Sequence, residues 1–230
     1  MNPETLITGD FKAACHDYFY LLSKGYPERG SLKMVGDRYR LSRDQRSVLY
    51  RGISPEPESA KRNSRLVPVS QAMHLVIDGY NVLFTILNYR LGRMVFLSTD
   101  GMLRDAGSLH GKLRDDRILE ECIEDLLAAL TPSYPASVDI FLDAPVSSSN
   151  HHHQVIEQKL KDFGLPGTCS LVHSADHEIK SFNKGILATS DTVLIEKTTV
   201  PVTDLSRLVL EEIYGATFFI IRDVFNAETS

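Results

Sequence analysis

The sequence predicts an α/β protein, a mostly parallel sheet flanked by helices and preceded by a small all-α domain, and three observations carry that prediction. From residue 71 onward, short apolar runs alternate with stretches of helical periodicity. Several of those runs end in an aspartate, as buried strands do when they hand over to a loop or helix at one sheet edge. Ahead of them the chain has helical spacing only and a basic charge balance.

In the front part, Asp10 can cap a helix whose Phe11, Ala14, Cys15, Tyr18, Phe19 and Leu22 share one face, and Gly25 ends it. A second helix is expected over Ser31–Asp37. A third opens at Ser42, with Gln45 three residues on as the other half of a capping box, and stops at Gly52. The proline, serine and charge content after Ile53 reads as an exposed linker. The expected division is therefore a helical, basic domain over residues 1–52, a linker over 53–70 and an α/β domain over 71–230.

In that last part the expected strands are Met73–Ile77, Met94–Leu97, Val138–Leu142, Ser170–Val172, Ile186–Thr189 and Thr217–Ile221. Helices are expected at Val82–Asn88, Arg114–Leu130, Asn150–Phe163, Ser174–Asn183 and Asp204–Tyr214, with Gly164 and Gly215 as stops.

Bulk properties exclude several classes. With 230 residues, 43% hydrophobic and 24% charged, the chain can bury a full core. Its apolar runs are too short to cross a bilayer and its first residues do not resemble a signal peptide, so a cytoplasmic protein with no membrane partner is expected. Cys15, Cys122 and Cys169 follow no paired spacing, which argues against a disulfide framework or thiolate zinc site. Residues 1–66 hold 12 Lys+Arg against 8 Asp+Glu, and residues 67–230 hold 13 against 22, so a basic front precedes an acidic back.

The acids carry the functional expectation. Asp78 follows Val76-Ile77, Asp143 follows Ile140-Phe141-Leu142, Asp191 follows Thr189-Ser190, and Asp176 falls in the first turn of the helix opened by Ser174. Each alone also fits a turn or helix start, where a carboxylate binds backbone amides. Gathered at one edge they would repel, by about 4 kcal/mol for two charges about 4 Å apart at an effective dielectric of about 20. A cation or a proton must offset that. Oxygen donors without cysteine favour Mg²⁺ or Mn²⁺, the ions of phosphodiester hydrolysis, and Asn81 could orient a water or phosphate.

Ile77-Asp78-Gly79-Tyr80-Asn81 resembles the opening motif of the PIN-like ribonuclease superfamily, particularly its NYN branch. Phe141-Leu142-Asp143-Ala144, Ala175-Asp176 and Thr189-Ser190-Asp191 resemble its later acidic motifs, in the same order. Gly25-Tyr26-Pro27, Val35-Gly36-Asp37-Arg38-Tyr39-Arg40-Leu41-Ser42 and Leu103-Arg104-Asp105-Ala106-Gly107-Ser108-Leu109-His110-Gly111-Lys112 make nearly the whole chain similar also to a prokaryotic family that joins a small helical domain of unknown function to such a PIN-like domain. The resemblance implies a metal-dependent ribonuclease with Asp78, Asp143, Asp176 and Asp191 as ligands, and a further acid on the helix after the second strand, for which Glu120 or Glu121 are the positional candidates.

Basic residues supply the expected contacts to RNA, single-stranded rather than duplex. Arg38, Arg40, Arg43 and Arg46, interleaved with Tyr39 and Tyr50, suit phosphate contact and base stacking, and a solvated helix face is the plain alternative. Arg104, Lys112 and Arg114 stand in a polar loop expected beside the acids. His151-His152-His153 invites a zinc reading, but consecutive residues of a helix point in different directions. Two other readings remain: a nucleic-acid-binding module without turnover, and another metal-dependent phosphohydrolase. A homodimer is left open.

Overall fold

A computed structural model describes residues 6–71, 73–107 and 116–226. Its helices are α1 (Gly9–Ser23), α2 (Glu28–Arg38), α3 (Arg43–Gly52), α4 (Glu56–Asn63), α5 (Gly79–Arg90), α6 (Asp116–Leu130), α7 (Ser149–Asp162), α8 (Ala175–Ile179), α9 (Thr192–Lys197), α10 (Leu205–Tyr214) and α11 (Ile221–Asn226). The strands are β1 (His74–Asp78), β2 (Val95–Leu97), β3 (Leu103–Asp105), β4 (Ser137–Asp143), β5 (Gly167–Val172), β6 (Ile186–Ala188), β7 (Val202–Thr203) and β8 (Phe219–Ile220).

Two compact units result, residues 65–87 with 110–216 and residues 1–64 with 88–109 and 217–230. The first holds a five-stranded sheet in the order β5-β4-β1-β6-β7, all neighbours parallel. This is the expected α/β architecture. β1, the central strand, is buried from Leu75 to Asp78 because it is covered on both faces. Gly79 follows directly, and a Cβ there would stand 2.6 Å from the Leu142 side chain and 2.8 Å from the Phe141 carbonyl, so only glycine lets the chain turn into α5 against β4.

The other unit differs from expectation. Residues 94–97 and 217–221 do contain strands, but β2 and β8 pair with each other in a three-stranded sheet, with β3 antiparallel on the other side of β2. They therefore lie with the N-terminal helices. The core joins Phe11, Tyr18, Val48 and Leu49 to Phe96 and Ile221. α1 is capped by Thr8, whose side chain accepts the Phe11 amide, rather than by Asp10. The Ser42–Gln45 capping box is present at α3.

The stretch read as a linker is ordered and partly buried. Pro55 and Pro57 stand at the N-terminus of α4, where a missing amide proton does no harm. Arg62 on that helix is 4% exposed and donates to Asp100 at 2.7 Å.

Candidate functional site

The sheet register assembles the acids. Asp78 is level with Phe141 of β4, and it stands one residue past the matched pair Ile77–Ala188, level with Thr189. Asp143, the last residue of β4, lies two positions beyond Phe141 and so on the same side of the pleat by strand alternation, and Asp191 stands past the end of β6 as the N-cap of α9. Asp176 enters from the first turn of α8, the helix after β5.

Asp78 is 5% exposed, and its carboxyl is pushed up to about 7. Burial is the main cause, and the charges of Asp176, Asp191 and Asp143 add to it against the hydrogen bond from Thr189. Asp176 is also raised, by burial first and then by Asp191 and Asp143, against the pull of Lys180 and Lys197. The four aspartates thus share one electrostatic environment.

Two of them also serve the backbone. Asp143 accepts the Ala175 amide at 2.9 Å, and Asp191 accepts the Leu194 amide at 2.8 Å as the N-cap of α9. Each of these bonds uses one carboxylate oxygen. Among the described residues no three His, Cys, Asp or Glu side chains stand as ready-made ligands around one point. The donor set is nonetheless all hard oxygen, with one buried carboxyl whose charge is disfavoured as it stands, and that chemistry fits a divalent cation that keeps part of its water.

Asn81 is fixed by its neighbours. Its Oδ1 accepts the Ser190 amide at 2.8 Å and the Ser190 hydroxyl at 3.0 Å. Since a backbone N–H can only donate, the amide orientation is settled and the Asn81 NH₂ is left to donate elsewhere. Thr189 donates its hydroxyl to Asp78 Oδ2 at 2.8 Å. In the sequence Thr189 and Ser190 stand only as the stretch leading to Asp191; their signal is positional, hydroxyl residues just past β6 and beside Asp78 and Asn81.

Tyr80, between Gly79 and Asn81, is 3% exposed and its hydroxyl stands 2.9 Å from Nδ1 of His152. The three consecutive histidines go three ways: His151 to Glu120 at 2.8 Å, His152 to Tyr80, and His153 to the Cys169 carbonyl at 3.1 Å. Glu120, a candidate for the further acid, is thus engaged on α6 with His151.

The basic residues fare unevenly. Arg38, Arg40 and Arg43 are exposed on the helical unit, Arg38 over the Tyr39 ring at 5.3 Å and 3.7 Å from Asp17. Arg46 is turned inward, donating to the Leu41 carbonyl at 3.0 Å and to Asp37 at 2.9 Å. Arg104 lies elsewhere than the sequence suggests. It belongs to β3, is 4% exposed, and donates to Asp100 at 2.8 Å and to the Arg51 carbonyl at 2.9 Å, so it is a buried structural cation and not a loop residue facing RNA. Lys112 and Arg114 lie outside the described residues. No described helix is long and apolar enough to cross a membrane.

Comparison with known proteins places the chain among relatives. Residues 10–65 match the family described as "Protein of unknown function (DUF434)". The chain is 31% identical over 189 residues to "Uncharacterized protein MJ0935" of Methanocaldococcus jannaschii, covering 81% of this chain and 89% of that protein. No solved structure matches. Residues 70–208, which hold all four aspartates, match "Domain of unknown function (DUF5616)", and the chain belongs to that family.

Proposed function

We propose that the chain is a metal-dependent ribonuclease of the PIN-like, NYN type, hydrolysing phosphodiester bonds of single-stranded RNA. The observation that carries this reading is Asp78, a buried carboxyl at the end of the central strand, raised to about 7 with three further aspartates contributing to the shift. Asp78, Asp143, Asp176 and Asp191 would hold Mg²⁺ or Mn²⁺. When bound, such an ion activates water and offsets charge on the reacting phosphate. Asn81, its carbonyl held by Ser190, directs its NH₂ donors to a phosphate oxygen or to the attacking water. Thr189 holds Asp78 in one orientation by donating to Oδ2. The exposed Arg38, Arg40 and Arg43 suit sequence-independent contact with the phosphate chain.

The test is cleavage of labelled single-stranded RNA by the full chain with Mg²⁺ or Mn²⁺, expected in wild type and abolished in Asp78→Asn. Cleavage that persists in that variant would overturn the assignment. A second reading, a nucleic-acid-binding module without turnover, is favoured by the capping roles of Asp143 and Asp191. It predicts salt-dependent RNA binding with no cut product under either ion.

A further inference from the structure

We propose that His152 is a positioning residue for the acidic site, clamping through the Tyr80 hydroxyl the turn that carries Asp78 and Asn81 against the turn that carries Asp143. The function of the clamp rests on the metal-dependent reading above; the clamp itself is read from packing.

Tyr80 is two residues past Asp78, and its neighbour is Asn81. His152 lies in the first turn of α7, the helix that follows Asp143. The 2.9 Å contact therefore joins the segments leaving β1 and β4, adjacent parallel strands, just beyond their acids. Both ends of the joint are anchored. On the α7 side, the Ser149 hydroxyl donates to the Ala144 carbonyl at 2.8 Å, which ties the helix start to the residue after Asp143. On the α5 side, Asn81 is held by Ser190.

The ring geometry supports a directed role. Tyr80 and His152 meet edge to face at 5.9 Å and 79°, and His152 is fully buried. Its Nε2 has no hydrogen-bond partner among the described residues, and Asp116 Oδ1 stands 3.6 Å away. A proton on Nε2 facing that carboxylate leaves Nδ1 as the acceptor and makes Tyr80 the donor. Burial favours the neutral ring, against the pull of Asp116 and Glu120 on α6 and alongside the push of His151. Burying an imidazole without satisfying it costs stability. An apolar pair would fill the same space without that cost, so the contribution of this pair lies in the direction of its bond.

The experiment compares wild type, Tyr80→Phe, His152→Leu and His152→Asn, the last placing an amide oxygen near the lost Nδ1. One readout needs no metal: exchange of the Ser190 amide proton, which is bonded to Asn81 Oδ1, followed by NMR with the Ile140 amide as reference. Ser190 exchange is expected to quicken up to about tenfold in Tyr80→Phe and His152→Leu, with Ile140 unchanged, and to return toward wild type in His152→Asn. The second readout is Mn²⁺ affinity, expected to fall about 10–100-fold in the first two variants and to recover in the third. If His152→Leu does not fold, Tyr80→Phe decides. Unaltered Ser190 exchange in Tyr80→Phe, or equal quickening of Ser190 and Ile140, overturns the clamp. Absence of Mn²⁺ binding in wild type overturns the metal reading alone, and the exchange result then judges the clamp.

Discussion

The Thr189 hydroxyl donates to Asp78 Oδ2 at 2.8 Å and accepts the Asp191 amide at 3.1 Å, so a single side chain ties the central acid to the turn that carries another. Replacing it with valine keeps the shape and removes both bonds. Thr189→Val should raise the Asp78 titration above about 7, because the hydrogen bond that favours its charged form is gone. It should also destabilise the chain at pH 8 by about 1–3 kcal/mol, since a buried carboxylate oxygen loses its partner. Carboxyl carbon NMR and urea unfolding check the two effects, and Thr189→Ser should show neither.

The shift at Asp78 fixes the sign of a pH dependence. The folded chain holds a proton on Asp78 up to about 7, whereas an exposed aspartate releases it near 3.8. The folded state binds more protons between those values, so the stability of metal-free protein falls as pH rises through that window, and Asp176 adds in the same direction. Asp78→Asn removes the charge and should be more stable than wild type at pH 8, by up to about 4 kcal/mol. Thermal unfolding at pH 5 and pH 8 in the presence of a chelator tests this. A variant less stable than wild type at pH 8 contradicts the burial argument.

A different pH window belongs to Asp100. Burial alone would raise its carboxyl, but Arg104, Ser98 and Arg62 outweigh that and hold it down to about 2. The stability it contributes is present above the ordinary aspartate range and is lost as pH falls through about 2. Asp100→Asn leaves two buried guanidinium groups without their counter-charge and should cost about 3–5 kcal/mol. Chemical unfolding at neutral pH measures this, and a change below about 1 kcal/mol would mean that the network is not a stability element.

Much of this was legible in the sequence, and what was not has identifiable causes. Val76-Ile77-Asp78-Gly79 announces a buried strand ending in an acid, because apolar residues followed by a glycine turn have few other uses. Sheet membership is not written that locally: Phe96 and Phe219 satisfy the same apolar rule as Val76 but pair with each other. β3 is not legible in the sequence because Leu103–Asp105 is three residues long and carries two charges, Arg104 and Asp105, whose partners Asp100 and Arg51 are supplied by the fold. The same long-range pairing hid α4, where Pro55 and Pro57 look like linker residues until Arg62 finds Asp100. The aspartates were visible as strand ends, but Thr189 and Ser190 acquire meaning only once register sets them opposite Asp78 and Asn81.

Aspartates far apart in sequence are expected to act together on one divalent ion, and Mn²⁺ titration followed by electron paramagnetic resonance measures this. Wild type should take up the ion with a simultaneous release of protons near pH 7, since Asp78 must ionise to bind. Asp78→Asn should lose uptake, and Asp191→Asn, which can still cap α9, should weaken it about tenfold or more without loss of fold. Equal Mn²⁺ uptake by all three proteins, or none by wild type, would mean that these aspartates do not form a metal site.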